Sequence, residues 1–150
     1  MTTNEERLLD IAKEVILLNE HLGAMLTGSL MLSVRGINKR REATDIDIIC
    51  SYLCEGKDGY PLVPTGFREN KMSGAKSQVD AIKFQNGEGV SIDFMVSEEC
   101  GVEIDGIMCG SVEFLISAKK KYIENDKNEE SRKKHELDLT FLYENNTINL

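Results

Sequence analysis

The sequence predicts an α/β (α+β) domain: a small mixed, mostly antiparallel sheet flanked by helices. Three observations predict it. Apolar residues recur at helical spacing near both ends of the chain, short β-branched runs with alternating polarity lie between them, and Gln85-Asn86-Gly87-Glu88-Gly89 joins two of those runs as a hairpin turn. The 150 residues fit one domain over 1–150, long enough to bury a core, and neither an internal repeat nor a linker divides it.

Leu8, Ile11, Ala12, Val15, Leu18 and Leu22 share a helical face, which predicts a helix from Asn4 to Leu22. Thr3 or Asn4 is placed to cap it, Glu5 and Glu6 suit the positive end of its dipole, and Gly23 ends it. Ala24-Met25-Leu26-Thr27 then reads as a strand that breaks at Gly28-Ser29 into a second helix, Leu30 to Val34. A basic connection with Lys39, Arg40 and Arg41 leads to Asp45-Ile46-Asp47-Ile48-Ile49-Cys50, an alternating strand. Residues 51–77 hold both prolines, Pro61 and Pro64, and have no period, so they read as a long loop or an element without a sequence signal. Val79 to Phe84 and Val90 to Val96 are the hairpin strands, and Val102 to Met108 reads as one further strand. Gly110-Ser111 opens a helix through Phe114, Leu115, Ala118, Tyr122 and Ile123, and Glu130 to Tyr143 forms the last, with Leu137, Leu139, Phe141 and Leu142 apolar.

Charge and cysteine usage narrow the function classes. A formal net charge of −8 argues against a protein devoted to gripping long nucleic acid, which needs an excess of Lys and Arg to displace counterions. A small anion delivered with metal ions remains compatible, because the metal brings the positive charge. The first twenty residues are acidic and amphipathic, neither a signal peptide nor a span, and no later stretch is long and apolar enough, so the expectation is a cytoplasmic protein without membrane contact. Cys50, Cys54, Cys100 and Cys109 lack paired Cys-x-x-Cys spacing and read as buried or half-buried thiols, not as a zinc site.

The chemistry-bearing feature is acidic. Side chains alternate along a strand, so Asp45 and Asp47 leave one face while Ile46 and Ile48 enter the core; two residues of strand rise put the pair about 6.5–7 Å apart. Asp93, in Ser91-Ile92-Asp93-Phe94, has the same alternation on another strand and would join them if that strand were adjacent. Asp is a poor strand residue and like charges on adjacent strands repel. Three such residues in apolar strands therefore need compensation, and a cation such as Mg²⁺, which favours oxygen ligands shared with substrate phosphates, supplies it. Solvent-facing carboxylates on a half-exposed sheet are the alternative. Gly28-Ser29 adds a tight turn that lets backbone approach a phosphate.

In this combination the chain resembles the nucleotidyltransferase superfamily that includes DNA polymerase β and antibiotic and toxin–antitoxin nucleotidyltransferases. Leu26-Thr27-Gly28-Ser29-Leu30-Met31-Leu32, Thr44-Asp45-Ile46-Asp47-Ile48-Ile49 and Ser91-Ile92-Asp93-Phe94 match its signature in order and type. The basic connection, Ala118-Lys119 and Lys134-His135-x-x-Asp138-Leu139 look most like the toxin-associated and other small bacterial branches. The motif core spans residues 23–96, and the gap from Leu30 to Thr44 is somewhat longer than in the smallest members.

The resemblance implies a polymerase β-like fold and a two-metal reaction. Asp45 and Asp47 would bridge two Mg²⁺ (or Mn²⁺) ions, with Asp93 on the ion that activates the attacking hydroxyl. Gly28 and Ser29 would bind the β- and γ-phosphates of a nucleoside triphosphate, whose nucleoside monophosphate passes to an acceptor while pyrophosphate leaves. Lys119 either reaches that triphosphate or snorkels beside Leu115 and Tyr122. Arg40 and Arg41 read as solvated loop charges, with contact to phosphate or acceptor as the alternative, Lys134 and Asp138 as an i,i+4 helix pair, and His135 as a surface or packing residue. The acceptor stays open among RNA, protein and small molecule, and a protein partner or homodimer is compatible. The alternative is a non-catalytic nucleotide- or partner-binding module on the same fold.

Overall fold

The computed structural model describes residues 1–54, 59–70 and 81–146. The chain opens with α1 (Thr3–Leu18), capped by Thr2 and not by the expected Thr3 or Asn4. Thr2 Oγ1 accepts from Glu5 N at 3.1 Å and Glu5 Oε1 accepts from Thr2 N at 3.0 Å, a capping box. Thr3 and Glu6 have the same spacing; the choice falls to Thr2 because Glu5, 1% exposed, then turns inward. There it accepts from Lys39 Nζ at 2.6 Å, Ser33 Oγ at 2.8 Å and Ala43 N at 3.1 Å. Burial alone would raise the Glu5 pKa, yet these donors bring it down to about 2.

The first helix stops four residues earlier than its apolar period suggests, and a 3₁₀ turn, Glu20–Leu22, completes the segment. Asn19 is the cause. Fully buried, its amide donates to the carbonyls of Val15 at 2.7 Å and Leu62 at 2.8 Å and accepts from Leu62 N at 2.7 Å. It thereby pins the periodless loop, whose Tyr60, Val63 and Phe67 pack against the core. Gly23, at φ +67°, turns the chain into β1 (Met25–Thr27).

β1 runs into α2 (Gly28–Val34), and the basic connection leads to β2 (Ile46–Cys50). β3 (Arg68–Glu69), β4 (Ala81–Gln85) and β5 (Ser91–Val96) follow. The expected start of β4 at Val79 lies outside the described residues. Asn86 closes the β4–β5 hairpin, its side chain accepting from Glu88 N at 3.0 Å and Val90 N at 2.9 Å.

The single strand expected over Val102 to Met108 is instead a hairpin of β6 (Val102–Ile104) and β7 (Ile107–Cys109). Asp105-Gly106 makes the turn with positive φ at both residues, 51° and 79°, as a two-residue hairpin turn matched to strand twist requires. Ser111 caps α3 (Val112–Asn125), accepting from Phe114 N at 3.0 Å, and Asn128 caps α4 (Glu129–Asn145).

The strands form one mixed sheet in the order β3-β4-β5-β2-β1-β7-β6. β1·β2, β3·β4, β4·β5 and β6·β7 are antiparallel, whereas β2·β5 and β1·β7 are parallel. Ile46, Ile48, Ile92 and Phe94, fully buried, join Leu8, Ala12 and Val15 of α1 in the core. Phe84 meets Phe94 edge-on at 5.6 Å, and Tyr60 meets Phe84 at 5.9 Å. In α4 only Leu142 of the four expected apolar residues is buried, while Leu137 is 47% exposed. No helix among the described residues is long and apolar enough to cross a membrane.

A candidate carboxylate site between the sheet and the last two helices

With Ile46 and Ile48 turned into the core, alternation leaves Asp47 on the other face of β2. Register then builds one rung across four strands: Thr27 opposite Asp47, Asp47 opposite Asp93, Asp93 opposite Lys83. Asp45 lies at the entry to β2, exposed, and its charge acts on both other carboxylates. Register therefore places Asp93 directly beside Asp47, and Asp45 acts on the pair through its charge.

Electrostatics set the character of this rung. Burial raises the Asp47 pKa first, Asp93 and Asp45 raise it further, and Lys119 and Lys83 offset only part, leaving it at about 7. Burial also raises Asp93, opposed by Lys83, whose Nζ lies 3.6 Å from Asp93 Oδ1. Next along the rung, the Thr27 hydroxyl is 2% exposed and has no hydrogen-bond partner among the described residues. Two raised carboxylates and an orphaned hydroxyl make an oxygen-rich set short of positive charge, which fits a hard divalent cation. Among the described residues no group of three or more His, Cys, Asp or Glu side chains is arranged to hold a metal ion. Mg²⁺ in particular completes its shell from water and substrate phosphates.

Gly28 and Ser29 border the same place. Gly28 takes φ +74°, and a Cβ there would overlap the Asp47 carboxylate, so glycine is required twice over. A cavity of about 300 Å³ opens here, in the range of small-ligand sites. Gly28, Ser29, Asp45, Asp47 and Lys119 all line it, whereas Asp93 stands behind Asp47 in its pair with Lys83.

The opposite wall comes from α3 and α4. Lys119 is 7% exposed, and its amine sits 3.4 Å from Asp138 Oδ2. Burial lowers its pKa, and Asp138 and Asp47 work against that. Arg40 and Arg41, expected to be solvated, are also held by Asp138. Arg40 Nε donates to Oδ1 at 2.8 Å, and Arg41 donates to both oxygens at 3.1 and 2.5 Å. Asp138 thus serves three cations, and Lys134 contributes its carbonyl to Arg40 at 3.4 Å, so the expected Lys134–Asp138 helix pair gives way to a tertiary cluster. Burial would raise Asp138; Arg41, Lys119 and Arg40 pull it to about 2. His135, read as a surface or packing residue, lines the cavity and stacks on Tyr122 with centroids 5.0 Å apart.

Lys83 had no place in the sequence reading, and Thr27, Tyr122 and Asp138 entered it only as motif, helix-face and helix-pair residues. The hairpin register around Asn86 carried a signal for Lys83: with Gln85 opposite Ser91, Lys83 must face Asp93. For Asp138 no local signal existed, because its partners lie 19 to 98 residues away.

The chain is similar to JHP933 from Helicobacter pylori, with a TM-score of 0.54 over 96% of this chain and 68% of that chain, at 14% identity. No family model matches the chain. No curated protein matches it either.

Proposed function

We propose that this chain is a metal-dependent nucleotidyltransferase of the polymerase β-like superfamily, moving a nucleoside monophosphate from a triphosphate to an acceptor hydroxyl and releasing pyrophosphate. The observation that carries the reading is the pairing of Asp47 with Asp93, beside Asp45, at a cavity bordered by Gly28, Ser29 and Lys119. Asp45, Asp47 and Asp93 are the residues to hold Mg²⁺ or Mn²⁺, which when bound would offset charge on the phosphoryl oxygens and lower the pKa of the acceptor hydroxyl. Gly28 leaves room for phosphate to approach the backbone, and the hydroxyls of Ser29 and Thr27 are donors for its oxygens. Lys119, fixed by Asp138, faces the anion from the other wall. In the net reaction a new bond joins the acceptor oxygen to the α-phosphorus, the bond to the β-phosphate breaks, and the acceptor proton is released.

A second reading has its own observation. Lys83 already pairs with Asp93 at 3.6 Å, and a carboxylate compensated in that way suits a module that binds nucleotide without transferring it. Incubation with Mg²⁺ and each α-labelled triphosphate, alone and with cell extract, separates the two. Label on a macromolecule or metabolite, abolished by Asp47→Asn, supports transfer; binding without label or pyrophosphate supports the module.

A further inference from the structure

The cavity is chemically divided. Its lining mixes polar groups, among them Asp47, Ser29 and Lys119, with apolar and aromatic ones. The apolar part of the lining follows from the helical repeat of α3: Phe114, Ala118 and Tyr122 recur every four residues, so they form one stripe along the cavity wall, with Met95 of β5 lining the same space.

At the end of the stripe Tyr122 stacks on His135 at 28° between ring planes, yet keeps 46% of its surface exposed. A tyrosine that stacks on one ring and stays half exposed has area left for a second planar group. The carboxylates of Asp47 and Asp93 raise the Tyr122 pKa after burial does, so the ring lies within reach of their charge. Burial and the cations Lys119, Lys134 and Arg41 lower the pKa of the supporting His135, and Asp138 works against them.

We propose that Tyr122, backed by His135, is the shelf on which the nucleobase of the bound triphosphate stacks, so that the site grips its substrate by π-face and not by base-edge readout. This rests on the nucleotide reading above. Stacking is tolerant of sequence because every base has a π-face, and it favours purines through their larger area. The site should therefore accept all four triphosphates, with ATP and GTP bound more tightly than CTP and UTP.

Inorganic tripolyphosphate, which has no base, separates this claim from the one it rests on. With Mg²⁺ present, affinities for tripolyphosphate and for each nucleoside triphosphate are measured by calorimetry on wild type, Tyr122→Ala and Tyr122→Phe. Tyr122→Ala should weaken the nucleoside triphosphates by about tenfold or more, leave tripolyphosphate within about twofold, and close the purine–pyrimidine gap. Tyr122→Phe keeps the ring and should behave as wild type.

If wild type binds tripolyphosphate as tightly as ATP, or Tyr122→Ala binds ATP normally, the base lies elsewhere and the shelf is wrong while the phosphate site stands. Equal loss of both ligands in Tyr122→Ala, with Tyr122→Phe unaffected, would make the ring a support for the phosphate end and also overturn the shelf. A wild type that binds neither ligand overturns both proposals.

Discussion

Asp47 and Asp93 stand opposite each other across the parallel strands β2 and β5, both half-buried, and their closeness is a cost to the folded protein wherever both are ionised. The pH dependence has a definite sign. The Asp47 pKa is raised from 3.8 to about 7, so between those values the folded protein holds a proton that the unfolded chain releases. Stability should fall as pH rises through that window, and the penalty should be absent below pH 4. Asp47→Asn removes it. In chelator at pH 8 the variant should be more stable than wild type by roughly 1–3 kcal/mol, the difference shrinking toward pH 4. Urea midpoints at the two pH values measure this; a variant destabilised at pH 8 would make Asp47 a structural anchor.

Gly28→Ala should be severe because it combines two faults. Its φ of +74° costs an L-residue roughly 1 kcal/mol, and the new methyl overlaps the Asp47 carboxylate. A loss of about 2–4 kcal/mol is expected. Truncating Asp47 to Ala in the same chain should recover part of it, a coupling that chemical unfolding of the double-mutant cycle detects. Simple additivity would mean the clash relaxes in some other direction.

Asp138→Asn removes the charge that holds Lys119, Arg40 and Arg41. Breaking a buried pair from one side typically costs about 3–5 kcal/mol; the two arginines are 30% and 40% exposed, so the lower end applies. Because the Asp138 pKa is lowered to about 2, its contribution is complete above about pH 4 and disappears as pH falls toward 2. Wild-type and variant unfolding curves should therefore converge in acid, and a constant gap down to pH 2 would contradict the cluster.

Ser29→Ala separates phosphate binding from metal binding. Loss of one hydrogen bond to a charged group, roughly 1.5 kcal/mol, should weaken triphosphate affinity about tenfold while Mn²⁺ binding without nucleotide is unchanged. Equal losses, read by calorimetry, would show that Ser29 acts through the fold.

Much of this site was legible in the chain because strands have a strict two-residue period. Once Ile46 and Ile48 are core, Asp47 has one available face, and the Ser91-Ile92-Asp93-Phe94 pattern repeats that argument on the neighbouring strand. The strand–Gly28-Ser29–helix junction was equally readable, since few residues tolerate the turn it needs. Contacts between distant segments were not readable. Arg40 and Arg41 look like solvated charges locally, and only the packing of α4 on the basic connection brings Asp138 to them. The missed β6–β7 hairpin is a different kind of error: its signal, Asp105-Gly106, was present, but each strand is only three residues long.

Whether Asp45, Asp47 and Asp93 hold metal ions for a triphosphate is tested most directly by thermal unfolding with and without ligands. Wild type and Asp47→Asn are melted in chelator, in Mg²⁺ alone, and in Mg²⁺ with each nucleoside triphosphate. Ligands that bind only the folded state stabilise it, by about 2.7 kcal/mol at 100 times Kd. Wild type should gain stability of this order with Mg²⁺ and at least one triphosphate together, and Asp47→Asn should lose most of that gain while matching or exceeding wild type in chelator. A wild type indifferent to every combination of metal and triphosphate would contradict the account.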